Sequence, residues 1–162
     1  MTIHDTETGK EINVTIERAS MADFKLIKKN KEFGFNWEEC KNKEVYKLCI
    51  VNDEKIQGLM CVFDHTDQYT NAIEIELLEL RKENIGHDKK LDRVAGCLIA
   101  YACRESIKRG HGGYVFLYPK TSLINHYQSK YGFSYLPFGP KEAGTLNVDG
   151  DISRELIKEY LQ

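Results

Sequence analysis

Residues 72–118 read AIEIELLELRKENIGHDKKLDRVAGCLIAYACRESIKRGHGGYVFLY. An apolar strand, a basic turn, an amphipathic helix and a second apolar strand follow one another in this stretch. A strand that leads through a turn into a helix presents unbonded amide groups and the positive end of a helix dipole, which favour a phosphate. The order therefore predicts a parallel strand-helix-strand crossover and a phosphate-bearing ligand at the start of the helix.

The sequence before this stretch predicts an antiparallel region. Residues 12–19 alternate between apolar and polar side chains, as in a strand with one buried face. Ser20 is a candidate N-cap for a short helix that ends near Asn30. Residues 45–51 and 56–63 then form a predicted hairpin around a polar turn.

The sequence after residue 118 predicts three further elements. Thr121 is expected to cap a short helix that runs to Lys130, a strand covers residues 133–136, and a terminal helix covers residues 151–162. The whole pattern predicts an α/β (α+β) fold with a mixed central sheet. Its N-terminal part is antiparallel, its C-terminal part is a parallel strand-helix-strand unit, and helices lie on both faces.

Size and composition bound the classes of protein that fit. A chain of 162 residues predicts a single domain, 1–162, in which residues 1–10 form a loose leader. A hydrophobic content of 41% fits a folded globular protein. The net charge of −2 argues against nucleic acid as a partner, and the lysines near residues 25–31 are interpreted as a solvated helix face.

Cysteine usage and hydropathy indicate the compartment. Five cysteines without a CxxC pair fit reduced thiols in a cytoplasmic protein better than a disulfide framework or a zinc site. No apolar run approaches the roughly 20 residues of a membrane-spanning helix, so we expect no membrane partner. Because the cysteines and histidines lack the spacing of metal ligands, we also expect no metal. A homodimer is compatible with the sequence.

Four short motifs carry a resemblance to a known family. They are Leu-Glu-Leu at 78–80, Lys-Leu-Asp-Arg-Val-Ala-Gly at 90–96, Tyr-Pro-Lys-Thr at 118–121 and Tyr-Gly-Phe at 131–133. With the order of elements, they make nearly the whole chain resemble the GNAT superfamily of acyl-CoA-dependent N-acyltransferases. The resemblance implies an N-acetyltransferase that moves an acetyl group from acetyl-CoA to the amine of a small-molecule or peptide acceptor.

The resemblance also implies which residues bind acetyl-CoA. The family's pyrophosphate motif, Gln/Arg-x-x-Gly-x-Gly/Ala, places Lys90 at its first position, Arg93 at its first glycine and Ala95 at its last position. The amides of Arg93, Val94, Ala95 and Gly96 are then expected to hold the pyrophosphate, with added positive charge from Lys90 and Arg93. The backbone of Leu78, Glu79 and Leu80 is expected to pair with the pantetheine arm.

Glu74 and Glu76 are the candidate catalytic residues. They project to one side of their predicted strand, and an amine must lose a proton as it becomes an amide. GNAT enzymes often place a glutamate base on this strand. The same pattern also fits two exposed glutamates on a half-solvated sheet, and nothing in the sequence ranks one over the other. With Asp64 and Asp67, they favour a cationic acceptor.

The chain departs from the family where a proton donor is expected. Many GNAT enzymes carry Tyr-x-x-x-Gly-Phe, and counting back from Gly132 places Gln128 at the tyrosine position. Tyr127 lies one residue earlier and is predicted to pack in the core, because one residue rotates a helical side chain by about 100°. This departure, together with Arg93, supports an alternative: a non-catalytic GNAT-like module that binds CoA or a protein partner.

Overall fold

The computed structural model describes residues 1–162 and contains nine β-strands. These are β1 (Thr2–Asp5), β2 (Glu11–Arg18), β3 (Glu44–Ile50), β4 (Ile56–His65), β5 (Ala72–Leu80), β6 (Leu91–Asp92), β7 (Val115–Leu117), β8 (Ser134–Leu136) and β9 (Thr145–Val148). The α-helices are α1 (Met21–Lys29), α2 (Val94–Lys108), α3 (Ile124–Tyr131) and α4 (Gly150–Leu161). Short 3-10 helices cover Trp37–Cys40, Lys82–Asn84 and Thr121–Leu123. None of the helices combines the length and apolar character that crossing a lipid bilayer requires.

The strands form one mixed sheet in the order β6-β1-β2-β3-β4-β5-β7-β9-β8. β1 pairs antiparallel with β2 and β6, and β3 pairs antiparallel with β2 and β4. β5 pairs parallel with β7, as the strand-helix-strand pattern predicts, and β9 lies antiparallel between β7 and β8. The predicted mixed α/β fold class is confirmed.

The residues group into two compact units, and β4, β5 and α2 contribute to both. The first unit comprises Met1–Val62 and Leu77–Leu98. Its core joins α1 to the strands through Phe24, Trp37 and Leu59, and Leu77 packs against the same cluster. Burial of these aromatic and aliphatic side chains is the main stabilising contribution to this unit.

The second unit comprises Phe63–Glu76 and Ile99–Gln162. Its core includes Ile73, Ile99 and Leu146, whose side chains have no solvent exposure. Two buried serines connect its helices to the chain before β7: the Ser106 hydroxyl donates to the Tyr114 carbonyl at 2.8 Å, and the Ser153 hydroxyl donates to the Gly113 carbonyl. The Tyr114 carbonyl also accepts the Ile73 amide of β5 at 3.2 Å, so the Ser106 bond adds to the strand pairing, and the Ser153 bond satisfies the Gly113 carbonyl just before it.

Helix α1 begins where the sequence predicts. Ser20 is its N-cap, and a capping box links the Ser20 hydroxyl to the Asp23 amide and the Asp23 carboxylate to the Ser20 amide. The Lys47 ammonium on β3 lies 2.9 Å from the same carboxylate. Burial of Asp23 disfavours its charged form, but the Ser20 amide and Lys47 outweigh this effect and lower the pKa.

The predicted loose leader at residues 1–10 is wrong for residues 2–5. They form β1, in which Ile3 is completely buried, because this strand has a partner on each side in β2 and β6. Leu91 was likewise expected in the central helix but lies in β6, opposite Asp5. Such pairings join residues far apart in sequence and leave no local periodicity to detect.

In the C-terminal half, two expectations need correction and one strand is not predicted from the sequence. Thr121 opens a 3-10 turn rather than capping α3, whose N-cap residue is Leu123. The strand expected at 114–118 is limited to Val115–Leu117, and Pro119 follows it closely. β9 was missed, because its four residues, Thr145–Val148, give too short an alternation to stand out.

We expect Asp23→Asn to lower the free energy of unfolding by about 1–2 kcal/mol at pH 7, since it removes the ion pair with Lys47 and leaves the Ser20 amide with a neutral instead of a charged acceptor, while the Ser20 hydroxyl still caps the helix. The folded pKa of Asp23 is depressed, so its contribution is complete above the unfolded value of about 3.9 and is lost as pH falls through the folded value. Urea unfolding at pH 7 and pH 3 measures this, with the exposed Asp88→Asn as the matched control. An equal loss at both pH values contradicts the electrostatic explanation.

Candidate functional site

The turn before α2 is held in an uncommon backbone conformation. Arg93 has φ +78°, in the left-handed region where glycine is normally found. The preceding residues are fixed by the pairing of β6 with β1 and by Thr6, whose hydroxyl donates to the Lys89 carbonyl at 2.6 Å. The chain thus keeps a glycine-like turn at a position that the family motif assigns to glycine.

The backbone amides that follow this turn define the candidate anion site. The Arg93 amide donates to Asp92 Oδ1 at 2.9 Å, so a carboxylate of the chain already occupies the first donor. The Cys97 amide makes the first hydrogen bond of the helix, to the Arg93 carbonyl at 2.9 Å. The amides of Val94, Ala95 and Gly96 lie between them and have no carbonyl in a preceding turn to accept from them, which makes them candidate donors for an anion.

The lysines of the turn are engaged with acidic side chains. Lys89 Nζ lies 2.9 Å from Asp92 Oδ1, and Lys90 Nζ lies 3.4 Å from Glu83 Oε2. Lys55 lies 2.8 Å from the same Glu83, and its hydrogen bond is the main cause of the lowered Glu83 pKa. The Lys90 side chain remains 71% exposed, so it can turn towards an anion without first losing a buried contact.

A close approach fixes α2 against the sheet in the first unit. A Cβ atom on Gly58 of β4 would lie 2.9 Å from Val94 Cγ1 and 3.0 Å from Leu98 Cδ1. Only glycine lets the first turn of α2 pack this tightly on the strand. The position of the first turn of α2, including its three amides, therefore depends on the contact of the Val94 and Leu98 side chains with the Gly58 backbone.

Strand β5 keeps part of its backbone outside the parallel ladder. It pairs with β7 only at Ile73 and Glu74 and continues to Leu80. The predicted pantetheine-pairing residues Leu78, Glu79 and Leu80 lie in this extension and are half-buried.

The Glu79 side chain has a second role that the sequence did not reveal. It accepts hydrogen bonds from the Gly34 amide at 2.6 Å, the Phe35 amide at 3.2 Å and Trp37 Nε1 at 2.8 Å. A carboxylate with three donors is a strong anchor, because charge-assisted hydrogen bonds are stronger than neutral ones. Glu79 therefore fixes the segment Phe33–Trp37, whose aromatic and irregular sequence by itself predicts only a covering segment.

Glu74 and Glu76 differ in their surroundings. The Glu74 carboxylate lies 2.9 Å from His65 Nε2, and its side chain is only 16% exposed. The His65 ring also packs against Phe63 and Phe116, with ring centroids 4.6 and 5.3 Å away. Glu76 is exposed. Of the two candidate residues, Glu74 is thus the more buried one and the one with a histidine partner.

Asp64 and Asp67 differ in their partners. Asp64 binds His111 Nε2 at 2.5 Å and Arg109 at 3.3 Å, and these contacts lower its pKa against the opposing effect of burial. Asp67 accepts the Thr70 amide within its own loop. The position of His111 in a loop after the central helix predicts an exposed side chain, but His111 is 5% exposed, and its two ring nitrogens bond to Asn71 and Asp64.

The aromatic residues near the Tyr-Gly-Phe motif form a packed cluster. The Tyr127 ring contacts Tyr131 and Phe133, with centroids 5.9 and 5.4 Å away, and burial raises its pKa. Tyr127 is thus partly buried against the core residues Tyr131 and Phe133, while Gln128 is exposed. Tyr118 is the other hydroxyl of interest: burial and the charge of Glu74 both raise its pKa.

The cysteines are packing residues. All five are free, as the sequence predicts, and all five are buried. Burial raises the pKa of both Cys97 and Cys103 to about 11, so neither forms a nucleophilic thiolate near neutral pH. The structure also contains no group of three or more His, Cys, Asp or Glu side chains that could hold a metal ion.

We expect Glu79→Ala to lower the free energy of unfolding by about 1–3 kcal/mol, because Trp37 Nε1 then loses its acceptor in a buried position. Trp37 is the only tryptophan, so its emission should also shift to the red as the segment loosens. Glu79→Gln, which retains one acceptor oxygen, should give a smaller change in both readouts. Unchanged emission and stability in Glu79→Ala would contradict the anchoring role.

Comparisons with known proteins identify the fold. No family model matches the sequence, and no curated protein matches it. Among solved structures, AtaTR bound with AcCoA is similar at a TM-score of 0.61 and 16% identity, covering 90% of this chain and 98% of the other. A GNAT-family acetyltransferase from Listeria monocytogenes is similar at 0.58 and 13% identity, covering 91% and 97%.

A third similar structure is the ribosomal-protein-S18-alanine N-acetyltransferase from Escherichia coli, at a TM-score of 0.55 and 12% identity, covering 83% and 89%. At such low sequence identities, structural similarity establishes the fold, whereas an activity has to be inferred from the residues of the site. The protein therefore has the fold of the GNAT acetyltransferases.

Proposed function

We propose that this protein is an N-acetyltransferase that moves an acetyl group from acetyl-CoA to the amine of a small-molecule or peptide acceptor. The observation that carries the proposal is the left-handed turn at Arg93, which leads directly into the amides of Val94, Ala95 and Gly96. The five free, buried cysteines support a reducing compartment such as the cytoplasm.

The chain offers fitting contacts for both parts of CoA. The amides of Val94, Ala95 and Gly96, with Lys90 nearby in sequence, are suited to the pyrophosphate. The backbone of Leu78–Leu80 is suited to pair with the amide groups of pantetheine, as an added strand does. Because Asp92 holds the Arg93 amide, we assign the pyrophosphate three backbone donors rather than four.

Glu74 is the proposed base. When bound, acetyl-CoA supplies a thioester whose acyl carbon an amine can attack, with formation of an N–C bond and cleavage of the C–S bond. Glu74 accepts the proton that the amine nitrogen loses, directly or through water, and His65 orients its carboxylate. Glu74 lies four residues from Leu78, about 13 Å along an extended strand, so one strand carries both the pairing backbone and the base.

Tyr118 is the proposed donor of the proton that the departing thiolate takes up. A phenol is protonated at neutral pH, and because the charge of Glu74, after burial, raises the pKa of Tyr118, this hydroxyl is close enough to the proposed base to sense its charge. Gln128, at the position of the family's tyrosine, has no comparable acidic proton. The carboxylates of Glu74 and Glu76 support a cationic acceptor.

We expect isothermal calorimetry to detect binding of acetyl-CoA and CoA to the wild type. Gly96→Trp should abolish this binding by filling the space in front of the amides. Ala95→Glu should weaken it about tenfold or more by placing a carboxylate there, while the helix start tolerates the new negative charge. Ala22→Trp, on the exposed surface of α1, is the control for added bulk. Absence of heat at millimolar CoA with the folded wild type overturns the proposal.

In a thiol-release assay with polyamines, aminoglycosides, amino acids and peptides, Glu74→Gln should lower kcat by about 100-fold or more without loss of CoA binding. Glu76→Gln should change kcat only a few-fold, since its side chain is exposed, and Tyr127→Phe should have little effect. Equal losses in the two glutamate variants would show that Glu74 is not the base.

The second candidate is a non-catalytic module that binds CoA or a protein partner. It is favoured by the exposed Gln128 at the family's tyrosine position and by the Asp92 carboxylate on the first amide of the anion site. Binding of CoA without thiol release for any amine in the panel would support this candidate.

A further inference from the structure

A cavity of about 340 Å³ lies in the first unit, beside the segment that Glu79 anchors. Its wall includes Phe33, Phe35 and Trp37. Phe33 and Trp37 are buried, but Phe35 is 43% exposed and stands edge-on to Trp37, with ring centroids 6.1 Å apart. Pockets of this size with aromatic walls commonly bind small molecules.

The wall is rigid before any ligand binds. Glu79 fixes the backbone at Gly34 and Phe35 and the indole of Trp37. On the other side, the Arg81 guanidinium stacks over the Phe33 ring at 5.7 Å and donates to the Ile56 carbonyl at 2.7 Å. A prearranged wall lowers the entropy lost when a planar ligand is ordered against it.

The rim of the cavity is positively charged. Lys28, Lys31 and Lys82 line it, and each is exposed and without a carboxylate partner in the structure. The one acidic residue of the lining, Glu38, lies 3.8 Å from Lys41 outside the cavity. An exposed aromatic ring surrounded by unpaired ammonium groups is complementary to a ligand that joins an aromatic ring to an anionic group.

We propose that this cavity is a binding site for a small aromatic anion, a planar ring that carries a phosphate or carboxylate. The ring packs against Phe35 and the Trp37 edge, and the anionic group accepts hydrogen bonds from Lys28, Lys31 and Lys82. The site is independent of the proposed acetyl transfer, because none of its lining residues has a role there.

Phenyl phosphate is the probe, and the only tryptophan of the chain, Trp37, is the reporter. Titration with excitation at the red edge of the indole band should give a saturable change in emission with a dissociation constant of about 1 mM or below. Calorimetry of the same titration provides a second readout. Benzyl alcohol and inorganic phosphate test the ring and the anion separately, and each should bind at least tenfold more weakly.

Lys28→Ala with Lys31→Ala should weaken binding about tenfold, and added salt should weaken it further. The matched control is Lys25→Ala with Lys29→Ala, which removes the same charge from exposed α1 residues outside the cavity. Phe35→Ala should also weaken binding, whereas Phe138→Ala, at a 68% exposed ring in the second unit, should not. Circular dichroism confirms that each variant is folded.

Three results overturn the proposal. The first is no saturable signal by fluorescence or calorimetry with the folded wild type. The second is equal binding of benzyl alcohol and phenyl phosphate, which would mean that the ammonium groups play no part. The third is an equal loss in the two lysine pairs, which would reduce the effect to net charge. None of these measurements involves CoA, so failure here leaves the proposed transferase function untouched.

Discussion

The left-handed backbone at Arg93 is the constraint on which the candidate site depends. A non-glycine residue in this conformation costs roughly 1–2 kcal/mol, so neighbouring contacts must compensate. Asp92 accepts the Arg93 amide, and β1 pairs with the residues just before it. These contacts hold the turn without a glycine and lead directly into the first turn of α2, whose Val94, Ala95 and Gly96 amides have no acceptor within the helix. Because the Arg93 amide donates to Asp92, it is not available to an anion that binds at the start of α2.

Strand β5 shows how side chains and backbone can serve different purposes. The Glu79 side chain reaches back to Gly34, Phe35 and Trp37, and the Glu74 side chain is held by His65. Both contacts are made by side chains and use no main-chain group of β5. The main chain of β5 beyond Glu74 lies outside the parallel ladder with β7. A strand fixed in this way can offer its backbone to a ligand without losing its position.

Local patterns in the sequence predict much of this fold. The bounds of β5, the Ser20 cap and the turn between β3 and β4 follow from alternation, capping chemistry and turn residues over a few positions. Pairings between distant residues leave no such pattern. β1 meets β6 across almost 90 residues of chain, and Glu79 meets Phe35 and His111 meets Asp64 across more than 40, so each depends on the finished fold.

The absence of a tyrosine at position 128 has a structural reason in the neighbouring residue. Tyr127 contributes its ring to a cluster with Tyr131 and Phe133, and its carbonyl accepts the Phe133 amide at 3.3 Å. Turning α3 by one residue to present this phenol elsewhere would break both the ring packing and the chain reversal at Gly132, whose φ is +74°. The cluster thus ties the helix phase to the core. In the proposed transfer, α3 therefore offers no phenol as proton donor, which is why Tyr118, directly after β7, is the residue proposed for that role.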